Sequence, residues 1–170
     1  MHEIATADPL VRGPIAGLDP GRSKCGLVLC DPDQRRVLAA ALLSPEQTLE
    51  QLRFWVRIGA LQLLVMGDGT GSRAWEQRLR GLLPLCTVDE RGTTLEARQR
   101  YWQLFPARGW RRLLPPGLRQ PPRDWDDVVA QLLLERWLGR PLSREATLAV
   151  LRQPSGAAAA GEAAGLAPSA

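Results

Sequence analysis

The sequence predicts an α/β fold built on a mixed five-stranded sheet with helices on both faces. Three short apolar runs early in the chain are joined by tight turns, a pattern typical of an antiparallel meander. Farther along, single apolar runs alternate with helical segments, which indicates parallel strands joined by crossover helices. The 170 residues are enough for one domain with a substantial hydrophobic core.

The meander is the most clearly marked part of the chain. Pro20 and Gly21 favour a tight reversal after its first strand, and the Asp-Pro-Asp-Gln sequence at residues 31–34 favours a hairpin turn after the second. Its three strands are predicted near residues 15–19, 25–31 and 36–43.

A helix is predicted directly after the meander. Ser44 and Gln47 have the spacing of a capping box, and the proline between them suits a first helical turn. This helix should run to about Gly59. The continuous apolar run at residues 63–66 is then typical of a buried parallel strand. A glycine-rich loop leads from it into a second helix, which is expected to end near Leu82.

The second half of the chain holds one more strand and two more helices, predicted at residues 85–88, 93–104 and 125–138. Thr93 and Glu96 have capping-box spacing and mark the start of the first of these helices. Pro, Gly and Arg are frequent at residues 105–123, which we expect to form an ordered but irregular loop.

The two ends of the chain differ from the domain predicted at residues 13–150. Residues 1–12 look like a flexible lead-in. Residues 153–170 are mostly Ala, Gly, Ser and Pro with a single charge, a composition that predicts disorder. No apolar run approaches the roughly 18 residues of a membrane span, and no signal-peptide pattern opens the chain. We therefore expect a soluble, cytoplasmic protein with no membrane partner.

Arginine dominates the charged residues. Of the 22 basic residues only Lys24 is a lysine, and the net charge is +4 with a pI of about 9.6. An anionic partner is therefore expected, since arginine makes bidentate contacts with phosphate. The single histidine is His2, near the chain terminus, which argues against histidine-based triads and histidine-rich zinc sites. Hydrolytic chemistry would then depend on carboxylates and the metal ions they hold.

Acidic residues lie where the predicted strands and the last helix converge. Asp19 ends the first strand, Glu90 follows the fifth, and Asp126 and Asp127 lie in the first turn of the last helix. If the first, fourth and fifth strands are parallel neighbours, ~4.8 Å apart, Asp19 and Glu90 emerge at one edge of the sheet. The last helix then needs only to cross that edge to bring a third carboxylate.

Carboxylates clustered without histidine favour hard cations such as Mg²⁺ or Mn²⁺. Two such ions ~4 Å apart would clamp the attacking and leaving oxygens of a phosphodiester displacement. Adjacent helical positions point about 100° apart, so only one of the last two acids can aim well into the site. We favour Asp126, with Asp127 as a helper.

Each acid also has a structural alternative. Residues of these types serve as turn residues, surface ion pairs and helix caps in many proteins. The alternatives are a turn role for Asp19 and Asp68, a surface pair of Asp89 or Glu90 with Arg91, and capping by Asp124, Asp126 or Asp127.

A basic, aromatic segment precedes the last acidic cluster. Residues 98–123 contain seven arginines and no acid, interleaved with Tyr101, Trp102, Phe105 and Trp110. Such a mixture suits phosphate contacts and base stacking. Trp102 and Phe105 have an alternative place on the core face of the third helix. The candidate nucleic-acid contacts are Arg22, Lys24, Arg91, Trp110, Arg111 and Arg112.

Three segments, in this order along the chain, carry a family pattern: GLDPG at residues 17–21, VDERGTTLEA at 88–97, and DDVVA at 126–130 followed by LLL at 132–134. Together they resemble the YqgF (RuvX) family, relatives of the RuvC resolvases with an RNase H-like fold, over about residues 14–140. The family usually has a Gly-Leu-Pro-like turn after the fourth strand, where this chain has Met-Gly-Asp-Gly-Thr at 66–70. RuvC-type enzymes carry a catalytic acid near that strand end, which makes Asp68 a further candidate.

The resemblance implies a metal-dependent nuclease with Asp19, Glu90 and Asp126 as its catalytic and metal-binding residues, and with Asp127 and Asp68 as further metal candidates. Asp19 would anchor the ions, Glu90 would orient one ion with its water, and Asp126 would complete the site. The implied substrate is precursor small-subunit ribosomal RNA, and the ribosome or its precursor is an implied partner.

Two alternatives remain open: a Holliday-junction resolvase, and a non-catalytic RNA- or ribosome-binding module. A phosphate-binding ATPase is disfavoured, because the chain has no G-x-x-x-x-G-K-[ST] loop and is short for such a protein.

Overall fold

The computed structural model describes residues 13–145, 148 and 150–152. The predicted lead-in at residues 1–12 and the predicted tail at 153–170 lie outside these residues. The described strands are β1 (Ile15–Asp19), β2 (Cys25–Asp31), β3 (Arg36–Leu43), β4 (Leu63–Gly67), β5 (Leu85–Val88) and β6 (Val150–Arg152). The α-helices are α1 (Pro45–Arg57), α2 (Ser72–Leu79), α3 (Thr93–Leu104) and α4 (Asp126–Leu138).

The strands form one mixed sheet in the order β5-β4-β1-β2-β3-β6. β1, β2 and β3 form the predicted antiparallel meander, and β1, β4 and β5 are parallel neighbours. This arrangement confirms the mixed α/β sheet and is consistent with the RNase H-like fold that the family resemblance implies. β6 adds a sixth strand, parallel to β3. The sequence did not predict β6, because three residues are too short to show a strand pattern.

Helices cover both faces of the sheet, as predicted. Side chains alternate along β1, so that Ala16 and Leu18 pack in the core under α1 and α2, whereas Ile15 packs in the core under α4. By the same alternation Gly17 and Asp19 lie on the α4 side. α3 packs on the outside of α4, which leaves α4 largely buried.

The start of α1 is confirmed in detail. The Gln47 backbone N–H donates to Ser44 Oγ (3.2 Å), and the Ser44 N–H donates to Gln47 Oε1 (3.3 Å), which completes the capping box. The ends of the first two helices were predicted too far along the chain. α1 ends at Arg57 and α2 at Leu79, each within three residues of the expected position.

The predicted capping box at Thr93 is wrong. Gly92, with φ of 74°, is the residue that precedes α3, and Thr93 is already helical. The Thr93 hydroxyl donates to the Glu90 backbone oxygen (2.7 Å), as does its N–H (3.0 Å). The threonine therefore closes the turn after β5 instead of capping the helix with Glu96.

Residues 105–123 form the expected ordered loop, which contains two short 3-10 helices at Gly109–Leu113 and Pro116–Leu118. α4 follows and ends at Leu138, where Gly139 caps it in the left-handed conformation. Among the residues that the structure describes, no helix has both the length and the apolar character needed to cross a lipid bilayer.

Candidate active site

Asp19 meets the last helix because two glycines let that helix lie directly on the sheet. Gly26 is paired with Asp19 across the β1–β2 ladder, and a Cβ on Gly26 would overlap the backbone carbonyl of Asp126. A Cβ on Gly17 would likewise overlap the Ala130 carbonyl. The first turn of α4 therefore rests beside Asp19, which brings Asp126 to the end of β1.

Glu90 is brought to the same edge by the parallel neighbours of β1. Its carboxylate lies over Gly67 and Gly69, where a Cβ on Gly67 would come within 2.5 Å of Glu90 Oε2. The Asp68 N–H donates to the Val88 carbonyl (3.0 Å), and Asp68 Oδ1 accepts from the Glu90 N–H (3.1 Å). Asp68 is exposed and fixes the backbone of Glu90.

Arg136 of α4 holds the same turn from the other side. One of its terminal nitrogens donates to the Asp89 carbonyl (2.7 Å), and the other donates to the Arg91 carbonyl (3.0 Å). These two carbonyls bracket Glu90 in the chain. Arg136 also forms an ion pair with Glu96 (2.8 Å). The helix that carries Asp126 is therefore tied to the turn that carries Glu90.

Asp19 interacts electrostatically with the other two predicted catalytic acids. Burial, followed by the negative charges of Asp126 and Glu90, raises the pKa of Asp19 from 3.8 to about 7, although Lys24 acts in the opposite direction. The structure thus brings Asp19, Glu90 and Asp126 together at one end of the sheet, as the sequence predicted.

Lys24 partly neutralises this acidic site. Its Nζ lies 2.8 Å from Asp124 Oδ2 and 3.1 Å from Asp126 Oδ2. Partial burial acts to lower the pKa of Lys24, but the hydrogen bond to Asp124 and the charges of both carboxylates raise it. Asp126 Oδ2 is buried and faces the Lys24 ammonium.

Asp127 lies in a different environment from Asp126. Its side chain is fully buried, and its two oxygens pair with Arg123 (2.6 Å) and Arg144 (2.7 Å). Adjacent helical positions diverge by about 100°, which separates the two acids as expected. Because guanidinium groups bind both of its oxygens, Asp127 links α4 to Arg123 before the helix and to Arg144 after it.

Metal-ligating geometry is not preformed in this arrangement. Over the described ranges, no group of three or more His, Cys, Asp or Glu side chains is placed so that it could hold a metal ion. The Lys24 ammonium, 3.1 Å from Asp126 Oδ2, would have to withdraw before this carboxylate could bind an ion.

The predicted nucleic-acid contacts fall into two groups. Arg22 and Arg91 are exposed on the turns that follow β1 and β5, beside Asp19 and Glu90. Trp110 and Arg112 are exposed on the first 3-10 helix, and the Arg111 guanidinium lies 5.1 Å from the centre of the Trp110 ring. Lys24, the remaining predicted contact, forms ion pairs with Asp124 and Asp126.

Trp102 and Phe105 take the structural alternative that the sequence left open. Both are half-buried and pack against the cluster of Ala97, Tyr101 and Val128 between α3 and α4. The Trp102 indole N–H donates to the Arg119 carbonyl (3.3 Å), so that Trp102 also anchors the loop that follows α3.

Sequence reasoning missed two kinds of residue that position the site. Gly26 carries a detectable signal, since a glycine in the middle of an apolar strand often marks a close backbone approach. Arg136 carries no such signal, because an arginine near the end of a helix is ordinary on the surface. Its role is visible only once the turn after β5 is placed beside it.

Comparison with known proteins supports the resemblance that the sequence motifs indicate. No protein-family model matches the chain. A protein of Coxiella burnetii (strain CbuK_Q154) named "Putative pre-16S rRNA nuclease" is 27% identical over 138 residues, which cover 72% of this chain and 89% of that protein. The protein of the same name from the strain Dugway 5J108-111 is 26% identical over the same length.

Two solved structures overlap more loosely. Thermus thermophilus RuvC in complex with a Holliday-junction substrate gives a TM-score of 0.41 at 14% identity, covering 75% of this chain and 94% of that chain. A ROK hexokinase from Thermus thermophilus gives 0.32 at 17% identity, covering 56% and 39%. Overlaps this loose carry no argument about the fold or the site. The sequence similarity to the two Coxiella proteins agrees with the resemblance to the YqgF (RuvX) family that the motifs carry.

Proposed function

We propose that this protein is a metal-dependent nuclease that hydrolyses phosphodiester bonds in precursor small-subunit ribosomal RNA. The observation that carries the proposal is the meeting of Asp19, Glu90 and Asp126 at one sheet edge, in a chain homologous to proteins named for pre-16S rRNA nuclease activity. The domain at residues 13–150 would carry the activity. Its setting would be the cytoplasm, where the ribosome precursor is the partner.

The donor set fits hard divalent cations. Asp19, Glu90 and Asp126 offer oxygen ligands only, and no histidine lies among the described residues. Asp126 Oδ2 is buried and paired with the Lys24 ammonium, whose place as a cation a metal ion could take. The expected ion is Mg²⁺ or Mn²⁺, and we expect the site to bind two of them. Bound ions would supply electrostatic stabilisation to the attacking and leaving oxygens of the phosphodiester.

The residues of the chain would divide the remaining work. Asp19 would anchor the ions from the rigid end of β1, and Asp126 would complete the ligand set from the first turn of α4. Glu90, held over Gly67 and Gly69, would orient one ion with its attacking water. Asp68 and Arg136 would act through Glu90 by fixing its backbone, and Asp127 would act by anchoring α4 through Arg123 and Arg144.

Basic residues at the rim would hold the substrate. Arg22 and Arg91 are exposed beside the acids, where their guanidinium groups can bind phosphate bidentately. Lys24 would release Asp126 when an ion binds and would then be free to pair with a phosphate oxygen next to the scissile bond.

A non-catalytic RNA-binding module is the second candidate, and one observation favours it. The Lys24 ammonium already lies 2.8 Å from Asp124 and 3.1 Å from Asp126, so part of the negative charge is compensated without a metal ion. Such a module would bind RNA in a salt-dependent manner and would not turn over.

The test is a cleavage assay on labelled precursor small-subunit RNA and on a four-way DNA junction, with Mn²⁺, Mg²⁺ or EDTA. We expect metal-dependent cleavage of the RNA that is lost in Asp19→Asn and kept in Asp33→Asn, an exposed acid of the β2–β3 hairpin. Paired incisions in the junction alone would contradict the proposal and indicate a resolvase. RNA binding without cleavage under every condition would indicate the binding module.

A further inference from the structure

The second half of α3 and the loop that follows it, residues 98–123, present a strongly basic surface. Four arginines of this surface, Arg98, Arg108, Arg111 and Arg112, form no ion pair with a carboxylate in the part of the chain that the structure describes. Elsewhere in the segment Arg100 pairs with Glu135 (2.6 Å), and Arg123 pairs with Asp127. We call these four arginines, together with Trp110, the arginine surface.

We propose that the arginine surface binds an unpaired nucleic-acid strand, with one base stacked on Trp110 and a neighbouring base in the cavity beside Phe105. The proposal rests on the proposed function and narrows its substrate to RNA with a single-stranded segment next to the cleavage site. It can nevertheless be tested without any cleavage.

The aromatic part of this surface is open to a ligand. Trp110 is 64% exposed, an unusual fraction for a tryptophan, and Arg111 lies 5.1 Å from its ring centre. A base can stack on such a ring only if it is unpaired and unstacked from its own neighbours. The pairing of an exposed indole with a guanidinium therefore favours a single strand over a duplex.

Two cavities flank Trp102 and are large enough to accept a nucleobase. One, of about 310 Å³, is lined among others by Tyr101, Phe105, Arg108 and Arg111. The other, of about 380 Å³, is lined among others by Arg98, Pro116 and Arg119. Each combines apolar walls with guanidinium groups, which suits a base with its attached phosphate.

Internal hydrogen bonds hold the loop in this shape before any ligand binds. The Arg119 guanidinium donates to the Leu114 carbonyl (2.9 Å) and to the Arg112 carbonyl (3.2 Å), and the Arg119 carbonyl accepts from Trp102. Arg119 is therefore a positioning residue. A loop ordered in advance loses less conformational freedom on binding.

Charge distinguishes a nucleic acid from a protein partner. Leu113 and Leu118 are exposed near the surface and would also suit an apolar protein contact. However, residues 98–123 contain seven arginines and no acid, and repeated phosphates are the partner that such a surface attracts. The segment leads into α4, whose first turn carries Asp126, so the arginine surface lies on the face of the sheet that α4 covers.

The test is fluorescence anisotropy of labelled oligonucleotides titrated with the full chain in EDTA. The probes are a 12-nucleotide single-stranded RNA and a duplex of the same sequence. We expect tighter binding of the single strand, and a loss of about 5- to 150-fold in Trp110→Ala, the range for one stacked base. Arg112→Ala should weaken binding. It should also lower by about one the slope of log affinity against log salt concentration, because one phosphate contact is lost.

Arg53→Ala is the matched control, because Arg53 is exposed on α1, on the opposite face of the sheet. It should leave the affinity unchanged. Unchanged RNA affinity in both Trp110→Ala and Arg112→Ala would overturn the proposal, and so would tighter binding of the duplex. EDTA prevents metal-dependent cleavage, so this binding measurement does not depend on the nuclease function. A protein that binds RNA as expected in EDTA but cuts no RNA with Mg²⁺ or Mn²⁺ would contradict the nuclease function and leave the proposed binding surface standing.

Discussion

Gly26 of β2 lies against the backbone of Asp126 in α4, and the side chain that Gly26 lacks would occupy the space of the Asp126 carbonyl. Gly26 is also the ladder partner of Asp19. One glycine therefore determines how closely the third acid of the site approaches the first. The positions of the acids depend on this backbone contact as much as on the acids themselves.

Gly26→Ala should consequently damage both the fold and the site. A methyl group there must displace α4 from the sheet, and such overpacking costs about 1–3 kcal/mol of unfolding free energy. Thermal unfolding measures the loss. Gly117→Ala is the control, because a Cβ at Gly117 meets no atom within 4 Å. Equal melting temperatures for the two variants would contradict the close packing of α4.

The two adjacent acids of α4 should respond differently to the same substitution. Asp127→Asn leaves the buried guanidinium groups of Arg123 and Arg144 without their counter-charge, and we expect a loss of about 3–5 kcal/mol of stability. Asp126→Asn should change stability little and abolish metal-dependent cleavage. Chemical denaturation measures the stability, and the RNA cleavage assay measures the activity. A large stability loss in Asp126→Asn together with normal stability and lost cleavage in Asp127→Asn would contradict the two assignments.

The contribution of Asp19 to the stability of the metal-free protein should fall as pH rises. Burial and the charges of Asp126 and Glu90 raise the pKa of Asp19 to about 7, whereas in the unfolded chain it is about 3.9. Between these pH values the folded state binds more protons than the unfolded state, so raising the pH removes stability until the carboxyl is fully ionised.

Asp19→Asn removes this effect. In EDTA at pH 8 the variant should be more stable than the wild type, and a gain of 1 kcal/mol would raise the melting temperature by about 2–4 °C. The advantage should shrink steadily towards about pH 4. Melting curves across this range provide the measurement, and a difference that does not vary with pH would rule out the raised pKa.

Arg136 should matter for activity through Glu90. Arg136→Met removes the donors that hold the Asp89 and Arg91 carbonyls, and a misplaced catalytic group can cost about 100-fold in rate. We expect a lower kcat, a higher metal concentration for half-maximal activity, and little change in KM for RNA. Arg53→Met, on the opposite face, serves as the control. A selective rise in KM would instead assign Arg136 to substrate binding.

Local signals account for most of what the sequence predicted. The five long strands were found because each has an apolar run bounded by turn residues, and α1 was found because Ser44 and Gln47 cap it as expected. The capping box at Thr93 failed because Gly92 takes a left-handed conformation and Thr93 turns its hydroxyl back to Glu90. Spacing alone does not reveal which acceptor lies nearby.

The site was predictable to the extent that it follows from topology. Parallel neighbours must end at one edge, so the order of the strands is enough to place Asp19 and Glu90 together. The separate roles of Asp126 and Asp127 depended on the orientation of α4, which Gly17 and Gly26 determine through space. Long-range contacts such as that of Arg136 with the Glu90 turn join residues about 45 positions apart and leave no local pattern.

The most direct test of the central claim is a crystal structure of the protein soaked in Mn²⁺, with anomalous scattering used to locate the ions. The account predicts anomalous peaks between the carboxylates of Asp19, Glu90 and Asp126, with Lys24 withdrawn from Asp126. Peaks bound elsewhere, or none at a Mn²⁺ concentration that supports RNA cleavage, would contradict the assignment of these three acids.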